Sequence, residues 1–476
     1  MISLLGMAYW TFHFWMGPLG TWEGTLNTGM ATFRVALVLQ RDSDGQSLTN
    51  FTNIDDGLYF QSFQKYSLKG RFFHGELPTG EVLNLKVDWL DKTLQGTYSQ
   101  AQGSFQQAGK ISPLILKRGN NFLVPRVGPD HTISKTYIYQ PPQKFSDGWE
   151  VGDLTKENGD FPKLVEGMER ILAETLPRIH SVLVVKNGKL VLDEYFYGYG
   201  PEIPHPLQSV TKSVFSILFG IARDKNLLET GQKLYDFFPE YRSRPGWDPQ
   251  KDRITLGALL TMRGGFRCDD WKNSQACSWD MVNSSDWLDF ALSQPLGHDP
   301  GRHFAYCGAC LTPLSALVER QSGMSLPDFA RKYLFDPLGI KQFTWMTGPG
   351  GITPVSFGLS LSPRDLAKLG YLLLKKGNWN GTQVVSSDWV NQSTTLHVAR
   401  LITNKEADYG YLWWERDGVS GGKRVRVLDA WGVGGQHLFV VPGLDLVCVI
   451  TGGNYKDGKL GANSLKFFQD YVLDSR

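Results

Sequence analysis

Opposite charges nearly cancel in this sequence: 49 Lys plus Arg stand against 47 Asp plus Glu, a formal net charge of +2. Neither sign gathers into a block or stripe, which removes nucleic acid from the expected partners. Long apolar runs are missing too. Only Met1 to Trp15 is apolar and uncharged throughout, and it is shorter than the ~20 residues that a spanning helix needs. The chain has no H-E-x-x-H, no P-loop and no dinucleotide fingerprint, so neither a metal nor an organic cofactor is expected. Cysteine is sparse, five in 476 residues, and Cys268, Cys277, Cys307 and Cys310 fall in one region. That clustering leaves two readings open: one or two disulfides in an exported protein, or reduced buried thiols. Cys307-Gly308-Ala309-Cys310 has the C-x-x-C form. No small βαβ unit frames it for redox work, and no second ligand pair at matching spacing accompanies it for zinc. It reads as incidental or structural.

What is present is the composition of a soluble globular protein, 41% hydrophobic and 20% charged. The 52 glycines and 15 tryptophans suit turn-rich sheets and aromatic-lined clefts. At ~100–200 residues per domain, the length calls for two or three units. Residues 1–19 fit either a remnant of an export signal, without its basic n-region or cleavage site, or a buried first strand. The protein is therefore expected to be exported, periplasmic or extracellular, with the cytoplasm as the alternative.

Residues 20–118 read as a small all-β domain. Trp22 to Leu26, Phe33 to Leu39, Leu83 to Val87 and Leu114 to Leu116 alternate or run apolar over strand lengths. Asp42-Ser43-Asp44-Gly45, Asp55-Asp56-Gly57 and Asp91-Lys92 mark turns between them. Residues 119–150, with Pro125, Pro129, Pro141 and Pro142, read as a linker or wrap. Residues 151–476 mix both periodicities and predict an α+β unit. Leu164, Met168, Ile171, Leu172 and Leu176 trace an amphipathic helix. Asn187-Gly188 turns a hairpin between Ser181 to Val185 and Lys189 to Tyr195. Ser362-Pro363-Arg364-Asp365 opens a capped helix, and Pro442-Gly443 turns a late strand pair, His437 to Val441 and Leu444 to Thr451.

Within this unit Gln208-Ser209-Val210-Thr211-Lys212 opens a long apolar helix that runs on through Val214, Ile217, Leu218 and Ile221. The three-residue spacing stacks Ser209 and Lys212 on one helix face. A serine hydroxyl is a poor nucleophile until a neighbour takes its proton. A lysine can do so if burial lowers its pKa from ~10.4. The helix N-terminus points N–H groups and a positive dipole end at the same spot, where a developing oxyanion is stabilised. S-x-x-K alone is a weak signal. Ser62-Phe63-Gln64-Lys65 also matches, in a strand context that puts the two side chains on opposite faces. Gly418-Val419-Ser420-Gly421-Gly422 matches G-x-S-x-G, yet its polar flanks predict a hairpin tip and not a strand-to-helix elbow.

Three elements in order carry more weight: the Ser209 helix start, Tyr306-Cys307-Gly308 after Pro300-Gly301, and Gly432-Val433-Gly434-Gly435-Gln436 before a strand. Taken singly, Tyr306 is a packed aromatic and the glycines a strand-entry bulge. Together they resemble the serine β-lactamase and penicillin-recognising hydrolase family, especially its class C, esterase and aminohexanoate-oligomer hydrolase branch, over roughly residues 150–476. The resemblance implies an antiparallel sheet flanked by helices, with a mostly helical subdomain. It implies cleavage of a small-molecule ester, amide or peptide through an acyl-enzyme on Ser209, with Lys212 as proton partner and Tyr306 as base and shuttle. A phenol at pKa ~10 serves only if a cation such as Lys212 stabilises its phenolate, or if it relays the proton. The resemblance further implies that Gly434, Gly435 and Gln436 line an edge strand, where the N–H groups of Gln436 and Ser209 form an oxyanion hole.

Two departures qualify the match. Where the family carries Lys-Thr-Gly the chain has Val433-Gly434-Gly435, so the charge that attracts a substrate carboxylate is missing. Where the family carries Tyr-x-Asn the chain has Tyr306-Cys307-Gly308, so the substrate-holding amide is missing. The first shifts the expectation away from β-lactams and D-amino-acid peptides and towards uncharged esters or amides; the second leaves the leaving-group preference open. A cell-wall peptidase or β-lactamase, and a catalytically silent binding protein on the same scaffold, are the alternatives. The N-terminal β domain resembles the small β domain of some serine hydrolases only through Trp22-Glu23-Gly24-Thr25-Leu26, and reads as a packing or spacer module.

Overall fold

A computed structural model describes residues 20–473 except 28–31, 42–46, 54–57, 70, 79, 89–91, 100–110, 120, 127–132, 157–160, 273–276, 400–406 and 456–457. The turns read at Asp42 to Gly45 and Asp55 to Gly57, Asp91 and the whole of 1–19 lie outside the described residues. The chain divides into two units, Met1–Ser134 and Lys135–Arg476.

The first unit is one antiparallel sheet of nine strands: β1 (Gly20–Asn27), β2 (Thr32–Arg41), β3 (Ser47–Asn53), β4 (Leu58–Ser62), β5 (Lys65–Lys69), β6 (Phe72–Glu76), β7 (Val82–Asp88), β8 (Thr93–Ser99) and β9 (Ile111–Arg118). Its order is β4-β3-β2-β1-β9-β8-β7-β6-β5. The two outermost strands, β4 and β5, are joined by Phe63 and Gln64 alone, so the sheet curls until its ends approach each other. Curling of this kind shields backbone edges that would otherwise template aggregation. Trp22, Leu37, Phe51, Phe73, Leu85, Leu94 and Leu116 fill the inside as one apolar core. Ser62 ends β4 and Lys65 starts β5, so that S-x-x-K match straddles a strand connection, and Ser62 Oγ donates to Asn50 Oδ1 at 3.1 Å.

The second unit is built on an eight-stranded sheet. Its strands are β10 (Glu150–Val151), β11 (Ile179–Lys186), β12 (Lys189–Tyr195), β13 (Asp408–Tyr409), β14 (Trp414–Ser420), β15 (Lys423–Gly432), β16 (Gln436–Val441) and β17 (Leu446–Gly452). The order is β10-β12-β11-β17-β16-β15-β14-β13. β10 pairs in parallel with β12, and the other neighbours are antiparallel. The central strands are apolar on both faces because both are covered. Along β11, Leu183 and Val185 join one core and Val182 and Val184 the other; Leu438 and Val440 against Phe439 and Val441 repeat this on β16. Helix α1 (Phe161–Leu172) covers the second face, where Met168 and Ile171 meet Phe467 and Tyr471.

Helix α2 (Val210–Asp224) lies in the larger core with Phe215, Leu218 and Phe219 wholly buried, each worth about 1.5–3 kcal/mol by area. Helix α3 (Thr312–Ser322) stops at Gly323 in the left-handed region, φ 68°. Helix α4 (Pro363–Leu374) starts with the Ser362 hydroxyl accepting from the Asp365 N–H. It comes so close to the sheet at Gly370 that a Cβ there would stand 2.6 Å from Val447 Cγ1. Asn187 (φ 50°) and Gly188 (φ 80°) make the β11–β12 turn as their sequence requires. Residues 135–149 have no long element of their own but pack into the second unit. Trp149 is buried and donates from Nε1 to the Arg364 carbonyl at 3.1 Å. The G-x-S-x-G match sits at the β14–β15 hairpin tip, with Gly421 and Gly422 at positive φ. No helix among the described residues is long and apolar enough to cross a membrane.

Candidate active site

Ser209 is the residue before α2, preceded by Gln208 at φ 50°, a left-handed conformation that a non-glycine residue adopts only under local constraint. A serine at a helix N-cap ordinarily accepts a backbone N–H of the first turn. Ser209 makes no such bond, so its hydroxyl is free for other partners. Lys212 Nζ lies 2.9 Å from Ser209 Oγ and donates to the Ser356 carbonyl at 2.9 Å. The lysine is buried, 4% exposed, and that desolvation pulls its pKa down to about 7, against a weaker upward pull from the charge of Asp270. Once the amine is neutral its lone pair accepts, and the 2.9 Å contact can run from the serine O–H to Nζ.

Tyr306 completes the group. Its phenol interacts with the Ser209 side chain, and Lys212 Nζ stands 4.8 Å from its ring centroid. Burial pushes the phenol pKa up, Ser209 lowers it somewhat, and Asp270 adds to the rise. Of the two roles open to a phenol from sequence, this environment disfavours a standing phenolate and suits a relay. Ser209, Lys212 and Tyr306 are thus brought together from positions ninety-odd residues apart.

The late glycine run behaves differently. β16 is flanked by β15 and β17 and is an interior strand, not the expected edge. Gly434 (φ 91°) and Gly435 (φ 93°) turn the chain from β15 into β16. A Cβ on Gly434 would strike the Tyr455 ring at 2.4 Å, and one on Gly435 would strike Ser464 Oγ at 2.6 Å. The Gln436 side chain is wholly buried, accepting from Gly452 N at 3.1 Å and donating to Gly452 O at 2.5 Å. These three residues secure the sheet end. The neighbour of the nucleophile is Gly432, whose missing Cβ would lie 2.5 Å from the Leu207 carbonyl oxygen and 3.2 Å from Gln208 Cβ. Val433 follows it, 53% exposed.

Several residues around the nucleophile carry no motif in the sequence. Trp271 stacks on Tyr306 at 4.4 Å with 4° between planes, and Trp414 and Trp431 continue the aromatic wall, 5.7 and 6.5 Å from Trp271. Arg416 lies over Trp431 and is neutralised by buried Asp429 at 2.8 Å, which also pairs with His437. The abundance of tryptophan was a signal for such a wall, but not for its position.

The cysteines form two disulfides, Cys268–Cys277 and Cys307–Cys310, and Cys448 is a buried free thiol on β17. All four bonded sulfurs lie within 4.8 Å of one another. The second pair that sequence spacing did not offer to Cys307 and Cys310 is therefore supplied by the fold. Paired as disulfides, the four offer no thiolate to a metal.

The sequence model of the β-lactamase family matches residues 178–459. The 6-aminohexanoate-dimer hydrolase of Paenarthrobacter ureafaciens is 25% identical over 300 residues, 59% of this chain and 74% of that protein. Among solved structures, EstCE1, a hydrolase with promiscuous acyltransferase activity, superposes with a TM-score of 0.54 at 15% identity, covering 66% of this chain and 98% of the other. The octameric penicillin-binding protein homologue of Pyrococcus abyssi gives a TM-score of 0.50 at 17% identity, covering 66% and 79%. At such identities the two structures testify to fold alone.

Proposed function

This chain belongs to the β-lactamase family of serine hydrolases, and from that premise we propose that it cleaves an uncharged ester or linear amide through an acyl-enzyme on Ser209. The observation that carries the reading is the 2.9 Å contact between Ser209 Oγ and a lysine whose amine is half neutral near pH 7. Lys212 takes the hydroxyl proton as Ser209 attacks the carbonyl carbon. Tyr306, which interacts with the Ser209 side chain, relays a proton to the leaving group. The Ser209 N–H at the start of α2 is one oxyanion donor. We assign the second to the N–H of Val433 in preference to Gln436, because Gly432 packs directly against Leu207 and Gln208.

Substrate class follows from the walls. Three indoles and the Tyr306 ring offer flat apolar surface, and the cation over Trp431 is already paired. This favours a neutral chain over a carboxylate-bearing β-lactam. Two disulfides support an oxidising compartment as the place of work. A fluorophosphonate probe followed by peptide mapping tests the assignment: the adduct belongs on Ser209 and disappears in Ser209→Ala. Labelling that survives this substitution refutes it. A panel of p-nitrophenyl esters, aminohexanoate amides and a fluorescent penicillin then ranks the substrates, with the penicillin expected to be slowest.

A further inference from the structure

Gly308 stands where the family's third motif residue would carry an amide, and the space beside it is occupied. A Cβ on Gly308 would meet Ser278 Oγ at 2.8 Å, Asp270 Oδ2 at 3.1 Å and Ser356 Oγ at 3.2 Å. Its φ of −66° suits any residue, so packing and not backbone strain excludes a side chain there. The occupant is Asp270. Its N–H donates to the Tyr306 carbonyl at 2.8 Å, and its Oδ2 accepts the Gly308 N–H at 2.7 Å. Both peptide groups within Tyr306-Cys307-Gly308 are therefore held by one residue. Ser278 braces that carboxylate, its hydroxyl donating to Oδ2 at 2.6 Å and its N–H to Oδ1 at 3.1 Å, while Ser278 Oγ accepts the Ala309 N–H at 3.0 Å.

The disulfides bracket the same arrangement. Cys268–Cys277 joins the ends of the segment that carries Asp270, one residue short of Ser278, and Cys307–Cys310 closes the turn that presents the Gly308 and Ala309 N–H groups. The neighbouring acid, Asp269, faces away to Lys272 at 3.3 Å. Ser356, whose carbonyl accepts from Lys212, has a buried hydroxyl with no partner among the described residues.

We propose that Asp270 is a positioning residue for the reaction, replacing the absent amide: it clamps the Tyr306 loop and sets the charge balance of the Ser209–Lys212–Tyr306 group. The inference rests on the serine-hydrolase reading above. The titratable groups around Lys212 and Tyr306 are Asp270, which acts on both, and Tyr409, whose buried phenol is acted on by Tyr306; Lys212 Nζ itself stands 4.8 Å from the Tyr306 ring centroid. Asp270 is the sole carboxylate among them, and its charge favours the ammonium form of Lys212. Removing the charge while keeping the shape should let Lys212 lose its proton at lower pH.

The test is the pH dependence of kcat/KM for a p-nitrophenyl ester in wild type and Asp270→Asn, with melting temperature measured in parallel. The carboxamide keeps one acceptor for Gly308. We expect the acid limb to move down by about one pH unit, so that the fraction of plateau activity at pH 6 rises, while the plateau itself falls. Asp270→Ala, which also loses the acceptor, should lose most of the plateau and recover part of it with added formate. An acid limb unmoved in Asp270→Asn, in a variant that melts like wild type, overturns the proposal. Absence of Ser209-dependent turnover in the wild type instead overturns the underlying reading, so the two failures are distinguishable.

Discussion

The neutral fraction of Lys212 gives the sharpest numerical expectation. With a pKa of about 7 the amine is about one-tenth neutral at pH 6, one-half at pH 7 and nine-tenths at pH 8. An exposed lysine would be about 0.03% neutral at pH 7, so burial raises the population of competent base by roughly three orders of magnitude. kcat/KM, which reports the free enzyme, should therefore climb about tenfold between pH 6 and pH 8 and then level off. The same depressed pKa has a stability consequence. Folding releases a proton from Lys212 between the folded value of about 7 and the unfolded value of 10.5, so this group makes stability rise with pH across that window. Keeping a buried amine neutral at pH 7 costs up to roughly 5 kcal/mol on that basis. Lys212→Met removes the cost but orphans the Ser356 carbonyl, a loss of about 1–3 kcal/mol. The variant should be inactive yet more stable by about 2 kcal/mol, which denaturant titration at pH 7 measures. A flat kcat/KM between pH 6 and 8, or a Lys212→Met protein less stable than wild type, would refute the reasoning.

Three further outcomes follow from the geometry. Val433→Pro deletes one N–H and should lower kcat by about 10²–10³-fold, while Val433→Ala keeps the N–H and stays near wild type; equal activity in both would return the oxyanion role to Gln436. Gln436→Ala strands the two Gly452 backbone groups and should lower stability by about 2–4 kcal/mol in a denaturant titration, with fluorophosphonate labelling of Ser209 retained. Cys268→Ser with Cys277→Ser opens a loop with a sequence separation of 9. Stability should fall by roughly 2–3 kcal/mol, and kcat should fall with it because Asp270 loses its tether; unchanged kcat at full folding would separate the disulfide from the catalytic loop.

Local pattern was enough for the scaffold. Asn187-Gly188, the Ser362 cap and the apolar run of α2 each encode their structure in adjacent residues, and all appear where the sequence puts them. Ser209 and Lys212 were legible for the same reason, since one helical turn fixes their relation. Asp270 was not, because its meaning lies in contacts with Ser278 and Gly308, 8 and 38 residues away. The cysteines show the same limit: spacing gave Cys307 and Cys310 no partners, yet folding brings Cys268 and Cys277 within 4.8 Å of them.

The glycine run shows how a right family match can attach to the wrong neighbours. Gly434 and Gly435 attract notice because two adjacent glycines are rare in strands, and both do need their missing side chains. The need comes from Tyr455 and Ser464 behind the sheet end, however, and not from a substrate in front of it. Gly432, less conspicuous, is the residue whose bareness lets β15 touch the segment ahead of Ser209. A Gly432→Ala substitution therefore discriminates. Its Cβ would sit 2.5 Å from the Leu207 carbonyl oxygen, a backbone atom that a flexible side chain cannot replace by moving away. The nucleophile and the Val433 N–H would have to separate, which should reduce kcat far more than stability. Gly435→Ala, strained at φ 93° and pressed on Ser464, should do the reverse.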